Sequence, residues 1–175
     1  MKNSTNLILE ALFTGADEEE QLQRTADAPK IMFKEWMDEF LKRKDIKKNA
    51  DGSYDVDGDV TLMALVGDLG LGELPISFGK VTGSFECSHN YMSTLKGCPK
   101  EVGMDFRCQF NYLTSLKGCP KTIKGVFDCS YNSLDDLKNG PTYVGKSFWC
   151  ANNGEEFTEE YVRSLIDVKG AVYVD

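Results

Sequence analysis

Between residues 81 and 154 the chain repeats itself every 21 residues without an insertion. The aligned rows are Phe85-Glu86-Cys87-Ser88-His89-Asn90, Phe106-Arg107-Cys108-Gln109-Phe110-Asn111, Phe127-Asp128-Cys129-Ser130-Tyr131-Asn132 and Phe148-Trp149-Cys150-Ala151-Asn152-Asn153. The rest of the repeat keeps step: Met92, Leu113, Leu134; Leu95, Leu116, Leu137; Pro99, Pro120, Pro141; Val102, Ile123, Val144. A fixed period with many positions recurring together restricts the fold to a solenoid, in which each repeat is one coil and neighbouring coils share a core. The class expected is an α/β solenoid with 21-residue coils and short parallel strands.

Each recurring residue has a physical task in such a coil. Phe and Cys alternate with period two, so both point inward from a short strand. These strands are expected at 85–87, 106–108, 127–129 and 148–150. The Asn after each strand can donate to and accept from backbone groups that the turn leaves unpaired. The Met/Leu column and the Leu column close the other side of the core. Gly97 and Gly118 align with Asn139, and these residue types tolerate positive φ, so this column reads as a left-handed turn. Proline then fixes φ on the return path.

The flanks differ in pattern, which sets the domain boundaries. Residues 1–50 read as a helical N-terminal cap, with short helices at 6–13 and 17–23 and a longer one at 28–44. In the longer one Met32, Phe33, Trp36, Met37, Phe40 and Leu41 form one apolar face. Pro29 suits its first turn, and Lys42, Arg43 and Lys44 suit its end. Residues 51–80 read as a hairpin turning at Asp57-Gly58, then a degenerate first repeat with Leu71, Leu74 and Val81 in the apolar slots and no Asn. A calcium loop centred on Gly58 fails, because its last ligand position would be Ala64. Residues 81–154 are the repeats. Residues 155–175 read as a helix-strand cap: Thr158 is the N-cap, Phe157 and Val162 a hydrophobic staple, and Ala171–Val174 a last strand beside the one at Phe148.

Composition narrows the function classes. The formal net charge is −8, which disfavours direct binding to nucleic acid. No apolar run is long enough to span a membrane, and Glu10 interrupts the short run Leu7-Ile8-Leu9, so neither a membrane span nor a secretory signal is expected. Six Cys occupy two repeat columns, and no Cys-x-x-Cys pair exists. They read as buried reduced thiols of a cytoplasmic protein, not as disulfides or zinc ligands. His89, the sole histidine, aligns with Phe110, Tyr131 and Asn152, so its column is a surface position. No phosphate-binding loop, nucleophile elbow or metalloprotease motif is present. The expectation is a protein with no catalytic residues, no cofactor and no metal.

The same period identifies the residues free to meet a partner. Between the inward Phe and Cys lies an outward column, Glu86, Arg107, Asp128 and Trp149, flanked by Asp105 and edged by Phe110 and Tyr131. Varied residues on a fixed frame are how a solenoid presents a binding surface, and Trp, Tyr and Arg dominate contact energies. These seven residues are the expected partner-binding set.

Three stretches of text resemble the leucine-rich repeat proteins common in tailed-phage genomes. They are Asp55-Val56-Asp57-Gly58-Asp59-Val60, the segment Pro75–Gly83, and Leu-Lys-Gly-Cys-Pro-Lys beginning at Leu95 and again at Leu116. The resemblance spans residues 50–175. It implies a leucine-rich repeat fold and no catalytic residues. It also implies a bacteriophage protein that binds or inhibits a host protein, one of host defence included, in the host cytoplasm. The alternative is an acidic mimic of nucleic acid that inhibits a nucleic-acid-binding host protein. Mixing Arg107 with Glu86 and Asp128 in one column argues against regular phosphate mimicry.

Overall fold

The computed structural model describes the backbone of residues 18–175 and the side chains of residues 26–175. The chain divides into two compact units, one ending at Lys42 and the other spanning Arg43–Asp175. The helix expected at 6–13 lies outside the described residues. In the first unit, helix α1 (Glu18–Leu41) runs for 24 residues with Pro29 inside it. The helices expected at 17–23 and 28–44 are therefore one. A proline in the interior removes a single N–H donor from the ladder. Lys42, Arg43 and Lys44 follow the helix and do not fill its last turn. Phe33, Trp36 and Phe40 stack along α1, with ring centroids 6.0 and 4.9 Å apart.

The second unit is a β-solenoid. In chain order it contains β1 (Ile46–Lys48), β2 (Tyr54–Val56), β3 (Val60–Thr61), β4 (Phe78–Val81), β5 (Phe85–Glu86), β6 (Glu101–Val102) and β7 (Phe106–Arg107). Then come β8 (Thr122–Ile123), β9 (Phe127–Asp128), β10 (Tyr143–Val144), β11 (Phe148–Trp149), helix α2 (Glu159–Leu165), β12 (Asp167–Val168) and β13 (Val172–Tyr173). Among the described residues these strands form a six-stranded sheet, β3-β5-β7-β9-β11-β13, and a seven-stranded sheet, β1-β2-β4-β6-β8-β10-β12. The strands expected at Phe-x-Cys are β5, β7, β9 and β11, in parallel register with Phe85, Phe106, Phe127 and Phe148 aligned.

The second sheet has no counterpart in the sequence expectation. It is built on the column Val81, Val102, Ile123, Val144 and Val168, also in parallel register. β6 and β8 are each two residues long, one exposed and one buried. So short a strand has no alternation to read. The inward residues of both sheets fill one core. Phe85, Phe106, Phe127 and Phe148 are fully buried with successive ring centroids 5.2–5.8 Å apart, the first three stacked and the last tilted. Burial of each ring stabilises by about 1.5–3 kcal/mol.

The start of the solenoid departs from the sequence expectation in two ways. First, Asp57-Gly58 is no hairpin: β2 and β3 on either side of it belong to different sheets, and it is the corner between them. The hairpin lies one element earlier, where β1 pairs antiparallel with β2. Second, Val60 aligns with Phe85, so the first coil advances 25 residues, not 21. Val60 and Leu62 take the Phe and Cys slots, and both are buried. The extra length falls around a 3-10 turn at Gly67–Leu69, and Leu71, expected in the core, is 54% exposed. Leu74 and Val81 are buried as expected.

Two turns complete the coil. Cys98, Cys119 and Gly140 donate their N–H groups to Leu95, Leu116 and Leu137. Gly97 and Gly118 have φ of 90° and 100°, as expected of a left-handed turn position. Asn139 is not left-handed, so the third turn is closed by a different conformation with the same hydrogen bond. At the far end Thr158 accepts from Tyr161 N at 3.1 Å and caps α2, with Phe157 and Val162 both buried. β13 pairs in parallel with β11, as expected. β12, unanticipated, extends the second sheet beside β10.

Candidate functional site

The Asn column sets the geometry of the edge where the chain leaves the six-stranded sheet. Asn111 Nδ2 donates to Cys87 O and Cys108 O at 3.1 and 3.0 Å, and its Oδ1 accepts from Asn90 N and Met92 N at 3.1 and 2.9 Å. Asn132 and Asn153 make the same two donations in the following coils and accept from Leu113 N and Leu134 N respectively. Asn90 applies the pattern to the longer first coil, donating to Leu62 O and accepting from Val66 N. Each side chain thus ties its own coil to the one before.

One residue earlier the backbone is left-handed in every coil. Ala64, His89, Phe110, Tyr131 and Asn152 have φ between 53° and 56°. For an L-residue this region costs roughly 1–2 kcal/mol, least for Asn and Asp. The middle coils nevertheless place rings there. His89 stacks on Phe110 at 4.4 Å and Phe110 on Tyr131 at 4.3 Å, with planes within 12° of parallel. A second ladder runs beside it, Tyr91 on Tyr112 at 5.7 Å, and Tyr91 is itself left-handed. Phe110, Tyr131, Tyr91 and Tyr112 are 41–60% exposed. The five rings form an aromatic ridge along the solenoid.

The outward column expected to bind a partner lies on the adjoining strand face, but most of its charges have internal work. Glu86 accepts from Ser88 N at 2.9 Å, and Asp128 from Ser130 N at 3.0 Å. Asp105 accepts from Val126 N at 2.8 Å with one oxygen and from Arg107 at 2.7 Å with the other. Asp59 plays the same part for Ser84 N two coils earlier. Trp149 remains outward, one ring face stacked on Tyr173 at 3.7 Å. Beneath the face, the Ser88 and Ser130 hydroxyls and Gln109 Oε1 are buried with no hydrogen-bond partner.

Of the seven residues expected from the sequence, Phe110 and Tyr131 lie in the ridge, and Glu86, Arg107, Asp128 and Trp149 lie on the strand face beside it. Asp105 sits at the corner before β7, mostly buried. His89, Tyr91, Tyr112 and Tyr173 belong to the same aromatic surface and are absent from the expected set. For His89, Tyr91 and Tyr112 the signal in the sequence is the recurrence of rings one and three residues after Ser88 and Gln109; Tyr173 lies outside the repeats and carries no such signal. The left-handed backbone could be read only from Asn152, the one residue in the column with a known tolerance for it.

The chemistry of the interior is quiet. All six Cys are buried and unpaired. Burial pushes the Cys98, Cys108 and Cys129 thiols well above their ordinary range, and Cys119 and Cys150 up to about 12. A protonated, enclosed thiol is neither nucleophile nor metal ligand at neutral pH. Among the described residues no group of three His, Cys, Asp or Glu side chains could hold a metal ion, and no helix is long and apolar enough to cross a membrane.

No family model, curated protein or solved structure matches this chain. What stands is a β-solenoid of stacked coils of about 21 residues.

Proposed function

We propose that the solenoid is a non-catalytic protein-interaction module whose partner seats on the aromatic ridge and the adjoining Trp149. The observation that carries this reading is the ring column at left-handed φ. Asn152 occupies the same position in the last coil, so a small residue suited to this backbone suffices there. Phe110 and Tyr131 place exposed rings there against the backbone preference, and strain of this kind concentrates at binding surfaces. A run of exposed aromatics of this size marks an interaction site more often than plain surface.

The finer reading is a leucine-rich repeat protein of the tailed-phage kind, acting in the host cytoplasm on a host protein. It rests on the repeat text and its resemblance. The acidic-mimic alternative draws less support, because Asp59, Asp105, Glu86 and Asp128 are each committed to a backbone N–H.

The test is affinity capture from host lysate with the wild-type chain and with Phe110→Asn/Tyr131→Asn, read by mass spectrometry. The ridge reading expects a protein retained by the wild type and lost from the variant at unchanged melting temperature. Equal retention by both would move the contact elsewhere.

A further inference from the structure

The second sheet carries a feature unrelated to the ridge. In a chain of net charge −8, four lysines from three neighbouring coils line one groove of about 390 Å³. They are Lys80 on β4, Lys100 just before β6, Lys121 just before β8, and Lys124 just after it. Val102 and Gly103 lie between them. Gly103 must stay bare, because a Cβ there would meet Thr82 O at 2.0 Å. The coil at Gly103 therefore packs directly on the backbone of the coil before it.

Two of the ammonium groups are held only in long, exposed ion pairs. Lys80 is 3.4 Å from Glu101 and Lys100 is 3.8 Å from Asp51, both exposed pairs. Lys121 donates to the carbonyls of Asn139 and Gly140 at 3.2 and 3.0 Å. Lys124 has no partner among the described residues. Lys100 and Lys121 occupy the same repeat position in adjacent coils, and like charges placed side by side across strands destabilise unless an anion lies between them.

We propose that this groove is an anion site for a compact oligophosphate, a di- or triphosphate chain either free or as the tail of a nucleotide. Lysines present compact point charges with rotatable donors, which suit phosphate oxygens. The basic tract spans β4 to β8, two strand spacings or about 10 Å. Along the sheet Asp55 lies on β2, next to β4, and Asp167, paired with Lys169, lies on β12, two strands beyond β8. A short phosphate chain fits between these limits. A nucleic-acid strand would run onto the acids, and the groove lining offers no aromatic ring for base stacking. Screening over about 8 Å lets the local lysines act despite the net negative charge. Glu101 is the one acid in the lining, and it opposes the ligand.

The experiment is calorimetric titration of the full chain with inorganic triphosphate at physiological ionic strength, repeated with a nucleoside triphosphate and with duplex DNA. Saturable one-to-one binding of triphosphate is expected. Lys124→Glu should weaken it about tenfold or more, Glu101→Gln should strengthen it, and Lys146→Glu, outside the groove, should leave it nearly unchanged. Tighter binding of the nucleoside triphosphate would make the nucleotide the source; equal binding would make it free oligophosphate. The proposal is overturned by no saturable heat, by equal losses in Lys124→Glu and Lys146→Glu, or by duplex DNA binding more tightly than triphosphate. Melting temperatures of the three variants confirm that each is folded.

Discussion

Two neighbouring columns of this solenoid have opposite fates. Asn90, Asn111, Asn132 and Asn153 turn in, and Asn90 and Asn111 are almost wholly buried. His89, Phe110, Tyr131 and Asn152, each one residue earlier, turn out into solvent. The inner column is uniform because its amide must both donate and accept at fixed backbone atoms, and no other side chain of that size does both. The outer column varies because the coil asks of it only a left-handed backbone. Uniformity follows from fixed hydrogen-bond partners inside the frame, and variety from their absence.

The largest break in this comparison should come from Asn111→Leu. It removes two donated and two accepted hydrogen bonds in a buried site and should cost about 3–5 kcal/mol in urea unfolding. A loss under about 1 kcal/mol would show that the ladder is wet in solution. Asn153→Leu, half-exposed near the end of the solenoid, should cost less, about 1–2 kcal/mol by the same measurement. Asp105→Ala strands Val126 N and frees Arg107, and about 1 kcal/mol is expected from loss of that cap. The outer column should respond least. Phe110→Asn/Tyr131→Asn gives up ring stacking of about 0.5–1.5 kcal/mol per pair and recovers a comparable amount of backbone strain. A stability change within about 1 kcal/mol is expected, and a larger loss would make the ridge a structural ladder.

The inner columns are legible in the sequence because each requires one residue type at one spacing, and four rows suffice to expose it. Phe85-x-Cys87 gives its strand in the same way. The Val102 strand is not legible, since a strand with a single inward residue has no period. The first coil misleads because its four extra residues break the spacing, and subtraction of 21 then lands on Leu71, an exposed leucine, in place of Val66. Asp57-Gly58 carries the residues of a tight hairpin, but the strand after it joins the other sheet. At the candidate site, outward direction is readable from alternation. The bonds from Glu86, Asp105 and Asp128 to backbone N–H groups are not, because they depend on how each coil turns.

The identical length of the repeated coils makes the molecule divisible. Phe106 and Phe127 stand at equivalent points of successive turns, in register across paired strands. Excising residues 106–126 would splice one turn onto the next with all inner columns in phase, shortening the rod by one strand spacing of about 4.8 Å. The aromatic ridge would lose two rings, Phe110 and Tyr112, and the lysine groove would lose the turn on which Lys121 and Lys124 stand. The rod's length, and with it the reach of both surfaces, is therefore counted in whole turns and can be edited as such.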